Sequence, residues 1–513
     1  MSKIHILWVD DEIDILKPHI IFLEKKDYQV DTCTNGVDAL DKLTQANYDV
    51  VFLDENMPGL SGLETLAELK LKRPNLPVIM ITKSEEEHLM EEAIGNQIAD
   101  YLIKPLNPNQ ILLSLKKNLD HSRLVSAQTT SNYQQEFRKI AMDLAMVNSL
   151  SEWVELYKKL IYWELKLENT NEPAMLEILE SQKHEANSLF FKFIKKNYKN
   201  LLDSDDYIFS HTLFKKVIAP NIQQKPTLWV VIDNLRYDQF RSLEPFINQF
   251  YKKKLEVDYF SILPTATQYA RNAIFSGMMP LEMEQKLPQY WKSDGDEGGK
   301  NLYENEFFIE QLKKIRFPLK HEYFKITNLE NGKKLADSFM SIKNNDLTIL
   351  VINFVDMLSH AKTEMDVIKE LVSDDKAYRS LTVSWFQNSP LFEMIKKAHN
   401  MGLQLILTTD HGTINTKNPT KIVGPKEISS NLRYKTGRSL SFDEKDVYSV
   451  SNPKDIQLPQ SAMNSSFVFA KEDLFFAYPN NFNYYVKYYK NTYQHGGISL
   501  EEMIIPCIVY EPK

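Results

Sequence analysis

Cysteine is nearly absent from the 513 residues: only Cys33 and Cys507 occur, far apart and in no metal-binding spacing. That excludes a disulfide scaffold and fits a reducing compartment. Long apolar runs are missing as well. No uninterrupted hydrophobic stretch approaches the ~20 residues that span a bilayer, and no cationic start followed by an apolar stretch suggests a secretory signal. A cytoplasmic location is expected, with no membrane span. Glycine is sparse at 15 residues, which favours helix-rich architecture. Positive charge is not in excess either: the net charge of −8 argues against the basic field that drives non-specific nucleic-acid binding, so no direct DNA binding is expected.

What is present divides into three parts, because a chain of this length is too long for one hydrophobic core. Up to about residue 120, strand-like and helix-like segments alternate. The strands are Ile4–Val9, Gln29–Thr32, Val50–Leu53, Val78–Ile81 and Tyr101–Ile103. The helices lie near Ile13–Lys25, Val37–Ala46, Gly62–Lys72, Glu86–Gln97 and onward from Pro108. Five such repeats make a small doubly wound domain. From 121 to 216 apolar residues recur at three- and four-residue spacing, as in Trp153, Leu156, Leu160, Trp163 and Leu167, which predicts a helical bundle. Beyond Pro220 and Pro226 strands and helices alternate again through 217–513. Within that part, Ser293–Asn301 reads as an exposed loop, and Thr413 to about Pro459 as an aperiodic insertion beside a cleft.

In the first part, Asp10, Asp11 and Glu12 follow the first strand, Asp54 the third, Thr82 the fourth and Lys104 the fifth. Carboxylates gathered at one edge of a parallel sheet call for a hard divalent ion, and Mg²⁺ suits carboxylate oxygens plus water. One of them can then accept a phosphoryl group as an acyl phosphate. With the segment Asp54-Glu55-Asn56-Met57-Pro58-Gly59, the pattern resembles the receiver domain of two-component response regulators. The resemblance implies a flavodoxin-like (βα)₅ fold with Asp54 as phosphoacceptor. It also implies that Asp10, Asp11, Asp54 and the Asn56 carbonyl hold Mg²⁺, that Thr82 and Lys104 contact the phosphoryl group, and that Tyr101 is the switch aromatic.

In the last part, potential metal ligands fall in separated clusters: Asp233, Thr267, Asp356 with His360, Asp410 with His411, and His495. Three clusters follow β-branched apolar runs, and residues just past the carboxyl ends of buried parallel strands converge on one crevice. Two divalent ions there can polarise a phosphoryl oxygen, activate a hydroxyl and hold the leaving oxygen. The mixture of imidazole and carboxylate favours Zn²⁺ over Mg²⁺, with Mn²⁺ also compatible.

Asp233, Pro264-Thr265-Ala266-Thr267, Asp356-Met357-Leu358-Ser359-His360, Thr409-Asp410-His411-Gly412 and His495-Gly496-Gly497 together resemble the PglZ domain of the alkaline-phosphatase superfamily. That resemblance implies one metal on Asp233, Asp410 and His411 touching the nucleophile, and a second on Asp356, His360 and His495. It implies Thr267 as nucleophile, the later hydroxyl of its segment and the one that begins a helix, with Thr265 as rival. Arg271 and Asn272, one turn further on, are candidates for phosphoryl contacts or simple surface residues. Arg433, Lys435 and Arg438 are candidates for gripping a second phosphate or a nucleobase-bearing substrate, or are solvated loop charges. Tyr484, Tyr485, Tyr488, Tyr489 and Tyr493 could stack on bases or serve packing.

The three parts in this order resemble the PorX-type family of response regulators associated with type IX secretion. The resemblance implies a sensor histidine kinase partner (PorY-like) and a zinc-dependent phosphodiesterase output on nucleotide-type substrates. The competing reading is a non-enzymatic adaptor whose metal site holds the domain together while a sigma factor or secretion component binds its surface. Phosphorylation of Asp54 is expected to reshape the face bearing Thr82 and Tyr101 and to drive homodimerisation, since a switch needs a contact made in only one state. Size-exclusion chromatography with and without an acyl-phosphate mimic checks this: a doubled mass is expected, and an unchanged mass counts against it.

Overall fold

Buried, β-branched strands do what their composition foretells. The computed structural model describes residues 4–83, 98–170, 173–222, 225–424, 431–460 and 463–513. The contacts divide into two compact units, 1–135 with 169–171, and 136–168 with 172–513.

The first unit is built on strands β1 (His5–Val9), β2 (Gln29–Cys33), β3 (Val50–Asp54), β4 (Val78–Thr82) and β5 (Asp100–Ile103). They form one parallel sheet in the order β2-β1-β3-β4-β5. β3 and β4 are buried along their whole length, as a sheet covered on both faces requires. The helix expected from Ile13 begins only at Lys17, with Pro18 in its first turn. Proline fits there and nowhere deeper, because its ring would collide with a preceding helical carbonyl. Helix Gly62–Lys72 starts at Ser61, whose hydroxyl accepts from the Glu64 amide while Glu64 reaches back to the Ser61 amide. The helix expected near Glu86–Gln97 lies outside the described residues.

Helix Pro108–Met146 contains the boundary between the units, and helices Leu150–Leu167 and Pro173–Leu202 belong to the second. Trp153, Leu156 and Leu160 are buried on one face of the former, as their spacing predicts. The second unit's main sheet contains β6 (Thr227–Ile232), β7 (Tyr251–Phe260), β8 (His321–Ile326), β9 (Leu347–Ile352), β10 (Gln404–Thr408) and the C-terminal strand Ile504–Pro512. Its order is β7, the C-terminal strand, β10, β6, β9, β8. β10, β6, β9 and β8 run parallel, while the C-terminal strand is antiparallel to both neighbours. Every residue of β6, β9 and β10 is buried.

The expected aperiodic insertion is in fact strand-bearing. Ile414–Thr416, Asn418–Val423, Tyr434–Arg438 and Val447–Val450 are strands of three to six residues. Asn418–Val423 pairs with Leu474–Ala477, and the other two longer-range pairings use Ser465–Ala470. Strands this short carry almost no alternation, and except for the short pairing of Asn418–Val423 with Ser441–Phe442 their partners lie outside the segment, so register comes from tertiary pairing. Among the described residues no helix is long and apolar enough to cross a membrane.

At the base of this sheet Trp229 is fully buried against Phe214, Phe275 and Phe308, with ring centroids 5.9, 5.3 and 6.1 Å away. Trp229→Ala is expected to cost about 3–5 kcal/mol through lost contacts and the cavity left behind, read as a lowered melting temperature of the second unit.

Candidate active site and receiver site

At the carboxyl edge of the first sheet, Asp10 and Asp54 are buried and Lys104 places its Nζ 2.8 Å from a carboxylate oxygen of each. Asp10 also accepts from the Glu12 amide at 2.8 Å, and Glu12 pairs with Lys83 at 2.9 Å. Oxygens of Asp10, Asp11 and Asp54 lie within 4.8 Å of one another. Burial pushes the Asp54 carboxyl up, and the Lys104 ammonium only partly opposes this. Thr82 is buried at the end of β4, Tyr101 is 42% exposed, and Asn56 is exposed just past β3. The sequence-predicted residues therefore do converge, in a geometry that leaves Asp11 and the Asn56 side open.

In the second unit, β6, β9 and β10 deliver their following residues to one edge. Asp233 follows β6, and Asp410 and His411 follow β10. Asp356 and His360 lie one turn apart on helix Phe354–Glu364, which follows β9. Thr267 is the first residue of helix Thr267–Ser276, after β7. His495 arrives by pairing: strand Thr492–Gln494 runs antiparallel to Ile414–Thr416, immediately downstream of His411.

Asp233, Asp410 and His411 form one triad and Asp356, His360 and His495 another, with ligand atoms in each within 4.8 Å. The His411 and His495 rings stack at 4.4 Å, joining the two. The Thr267 hydroxyl lies 3.2 Å from Asp233 Oδ1 and 3.1 Å from His411 Nε2. His411 Nδ1 is 3.0 Å from the Gly412 carbonyl and His495 Nδ1 is 3.2 Å from the Thr265 carbonyl. A carbonyl can only accept, so both imidazoles carry their proton on Nδ1 and turn the Nε2 lone pair inward. His360 and His495 each place Nε2 3.6 Å from Asp356. His360 is 62% exposed, so this side of the site is open.

The electrostatics are unbalanced without a cation. Burial, then the charge of Asp233, raises Asp356 and Asp410 to about 6. Burial alone would raise Asp233 too, but the Arg271 guanidinium outweighs it and holds that carboxyl down. Burial, then the neighbouring imidazoles of His411 and His360, drives the His495 imidazole well below its ordinary value. Asp410 Oδ2 is buried with no hydrogen-bond donor, His411 Nε2 lying 3.7 Å and Arg271 Nη1 3.8 Å away. Buried carboxylates with an orphaned oxygen, beside imidazoles offering lone pairs, are a donor set that fits divalent zinc.

Several sequence expectations are corrected. Arg271 is not at the surface: it is fully buried and paired with Asp233 Oδ2 at 2.6 Å and with Glu304. Asn272 is also buried, donating to the Gln268 and Lys300 carbonyls and accepting from Asn301. Both are tied into the helix that begins at Thr267 and its surroundings rather than lying at the surface. Arg433 is buried against Glu502 at 2.7 Å, and Lys435 is buried with its Nζ 3.3 Å from the Tyr478 hydroxyl. Only Arg438 of that trio is exposed, so no basic grip forms.

Thr265 is buried, donating to the Gly497 carbonyl and accepting from the Gly496 amide. Thr267 is left as the hydroxyl that faces the acids. Tyr484, Tyr485, Tyr488 and Tyr489 share helix Phe482–Tyr489, which buries none of them, whereas Tyr493 is buried and bonds Asp375 at 2.6 Å. The five tyrosines are therefore no single stripe. The loop Ser293–Asn301 is exposed at its middle, residues 295–299, as expected, while its last residue, Asn301, donates to the Thr267 carbonyl at 3.0 Å.

Asn234 escaped the sequence reading. It takes a left-handed φ of 65°, donates its amide to Asp410 at 3.3 Å, and reaches Asp356 and Ser359 with its side chain. An Asn directly after a strand-ending Asp was the available signal, since Asn tolerates that conformation.

Comparison with known proteins agrees with this geometry. The family of the BREX system PglZ alkaline phosphatase-like domain matches residues 213–510, and the chain belongs to it. The response regulator receiver domain matches residues 6–116, and the PorX response regulator linker domain matches residues 123–202. Receiver, linker and PglZ domains in this order are the PorX-type architecture. The transcriptional regulatory protein ZraR of Klebsiella oxytoca is 33% identical over 145 residues, covering 28% of this chain and 33% of that protein. The transcriptional regulatory protein ResD of Bacillus subtilis (strain 168) is 35% identical over 115 residues, covering 22% and 48%. The chain thus covers between a third and a half of the length of these two relatives. A receiver domain from Methanospirillum hungatei JF-1 is 28% identical, covering 23% of this chain and 96% of that one, with a TM-score of 0.23. Vibrio cholerae CheY4 is 29% identical, covering 23% and 100%, also at 0.23. A receiver domain implies a cognate sensor kinase as its phosphoryl source.

Metal binding should follow the protonation of Asp356 and Asp410. Their folded-state values lie above those of an unfolded chain. In the metal-free protein they therefore favour folding below about pH 4 and progressively less as pH rises through about 6. A cation that needs both ionised binds in the opposite sense. Added Zn²⁺ is expected to raise the melting temperature by several degrees at about pH 7.5 and much less at about pH 5, checked by scanning calorimetry.

Proposed function

We propose that this chain is a two-component response regulator whose output is a zinc-dependent phosphoester hydrolase. The observation that carries the reading is the Thr267 hydroxyl set between Asp233 and His411, beside the second triad of Asp356, His360 and His495. Asp233, Asp410 and His411, beside Thr267, would hold one zinc ion and Asp356, His360 and His495 a second, and bound there the pair would supply Lewis acidity toward phosphoryl oxygens and lower the hydroxyl pKa. Asp233 Oδ1, which already accepts from the Thr267 hydroxyl at 3.2 Å, receives its proton, since a ligating His411 Nε2 would have no lone pair left. The Thr267 oxygen then bonds to phosphorus as the ester oxygen leaves, and water later cleaves the phosphothreonine. Helix Thr267–Ser276 begins at the nucleophile with no side-chain cap, so its N-terminal dipole favours the anionic phosphate.

Nucleotide-type phosphodiesters are the substrates that this arrangement supports best. Arg271, on the nucleophile's own helix, has its charge bound by Asp233 and Glu304, and Arg433 has its charge bound by Glu502. Neither is free to meet the second negative charge of a monoester, whereas a diester carries only one. In the first unit Asp54 accepts the phosphoryl group from a sensor histidine kinase, with Mg²⁺ on Asp10, Asp11, Asp54 and the Asn56 carbonyl. Lys104, between Asp10 and Asp54, is placed to contact the new phosphoryl oxygens. Dimerisation on phosphorylation and a role in type IX secretion complete the reading, on the PorX-type architecture.

Thr267→Ala is expected to lower hydrolysis of bis-para-nitrophenyl phosphate by at least about 10³-fold while zinc is retained. Wild-type protein loaded with zinc yet inactive toward every diester and monoester would overturn the hydrolase in favour of the adaptor.

A further inference from the structure

Three of the four segments that carry the candidate metal ligands are held from behind by a chain of charges, buried at Arg236, Asp238 and Arg379 and half-buried at Asp375, that ends on the linker helices. Arg236, three residues past Asp233, donates to both oxygens of Asp238, at 2.9 and 2.5 Å, and to Asp375 at 2.7 Å. Asp375 in turn accepts from Tyr493 at 2.6 Å, two residues before His495. Asp238 also accepts from Arg379, whose guanidinium continues to Glu168 and, at 3.0 Å, to Glu164. Glu164 lies on helix Leu150–Leu167 and is bound at 2.6 Å by Lys183 of helix Pro173–Leu202.

A second strap leaves the same helix pair. Asn187 donates to Glu501 at 3.0 Å and accepts from the Leu500 amide at 2.8 Å. Gly412, next to His411, packs so closely on the Glu501 carbonyl that a Cβ there would lie 2.0 Å from it. Asp233, His411 and His495 therefore each sit one to three residues from a group whose position is set by a buried polar contact, and those contacts lead back to Glu164 and Asn187. Arg236, Asp238 and Arg379 are each no more than 3% exposed. Buried charges tolerate little displacement, because moving one partner leaves the other unpaired in a low dielectric.

We propose that Glu164 and Arg379 are positioning residues for the hydrolase: through Arg236, Asp238 and Asp375, the linker helices hold the Asp233 and His495 segments at metal-binding spacing. The inference rests on the proposed metal-dependent hydrolysis and deepens it, since it makes the linker part of the active-site frame and the route by which helix movement alters turnover.

The test uses the full chain. Glu164→Gln removes one of the two linker carboxylates on Arg379, the one that also holds Lys183 of the second linker helix, and leaves Arg379 paired with Asp238 and Glu168, so folding should persist. Asp143→Asn is the control, breaking a linker ion pair, Lys159 to Asp143 at 2.7 Å, that makes no contact with the chain of charges described above. Glu164→Gln should lower kcat for bis-para-nitrophenyl phosphate about 10- to 100-fold with KM little changed, and weaken zinc binding by equilibrium dialysis about 10-fold, whereas Asp143→Asn should leave both as in wild type. Wild-type kcat and zinc affinity in Glu164→Gln would overturn the proposal, as would an equal loss in Asp143→Asn, which would mark general bundle stability as the cause. If Glu164→Gln does not fold, Arg379→Lys, which keeps the charge but loses the fork, is judged by the same two readouts. If wild type binds zinc but hydrolyses nothing, the hydrolase reading fails and zinc affinity alone decides the positioning role.

Discussion

Mutual repulsion among buried carboxylates is the constraint on which the second unit turns. Asp233 and Asp410, buried, and Asp356, half-buried, meet at the edge of one sheet, where burial and then the charge of Asp233 raise the carboxyls of Asp356 and Asp410. Everything around them reads as a response. Arg271 is drawn fully inside to neutralise Asp233 and is itself balanced by Glu304. His411 and His495 are fixed by backbone carbonyls so that their lone pairs, not their protons, face the acids. A balance this incomplete is what a bound divalent cation resolves.

The first unit meets the same difficulty with a different answer. Asp10 and Asp54 are buried side by side, and Lys104 bridges them at 2.8 Å on each side. A single lysine lets the pair exist but leaves Asp54 raised in pKa, a carboxyl poised rather than quenched. In both units strand ends gather the acids and a basic side chain keeps them from repelling the fold apart. Only the second adds imidazoles, which is the chemical reason to assign it the softer ion.

Much of this was legible in the chain because strand runs such as Leu228–Ile232 and Leu405–Leu407 announce themselves, and the residues just after a buried parallel strand are forced to one edge. Thr267 could be preferred over Thr265 from its place before a helix, and the hydrogen bonds of Thr265 to Gly496 and Gly497 agree with that preference. The basic residues were misread for one reason: Arg271, Arg433 and Lys435 look like surface charges until their buried partners Glu304, Glu502 and Tyr478 are known, and those partners lie 33, 69 and 43 residues away. The strands of 414–450 were missed because, apart from the short pairing of 418–423 with 441–442, their partners lie in 465–477 and 492–494, and two- to six-residue strands have no period of their own.

The sequence alone determined the longer strands and helices, where the two acidic clusters stand and which side chains in them carry cation-binding atoms, because periodicity and strand-end position are local properties. Tertiary structure alone decided which charges are available and which are already bound. It also decided that His495, 84 residues after His411, stacks on it at 4.4 Å, and that Glu164 reaches Arg379. Those pairings depend on burial and on chain segments meeting across long separations, and local spacing records neither.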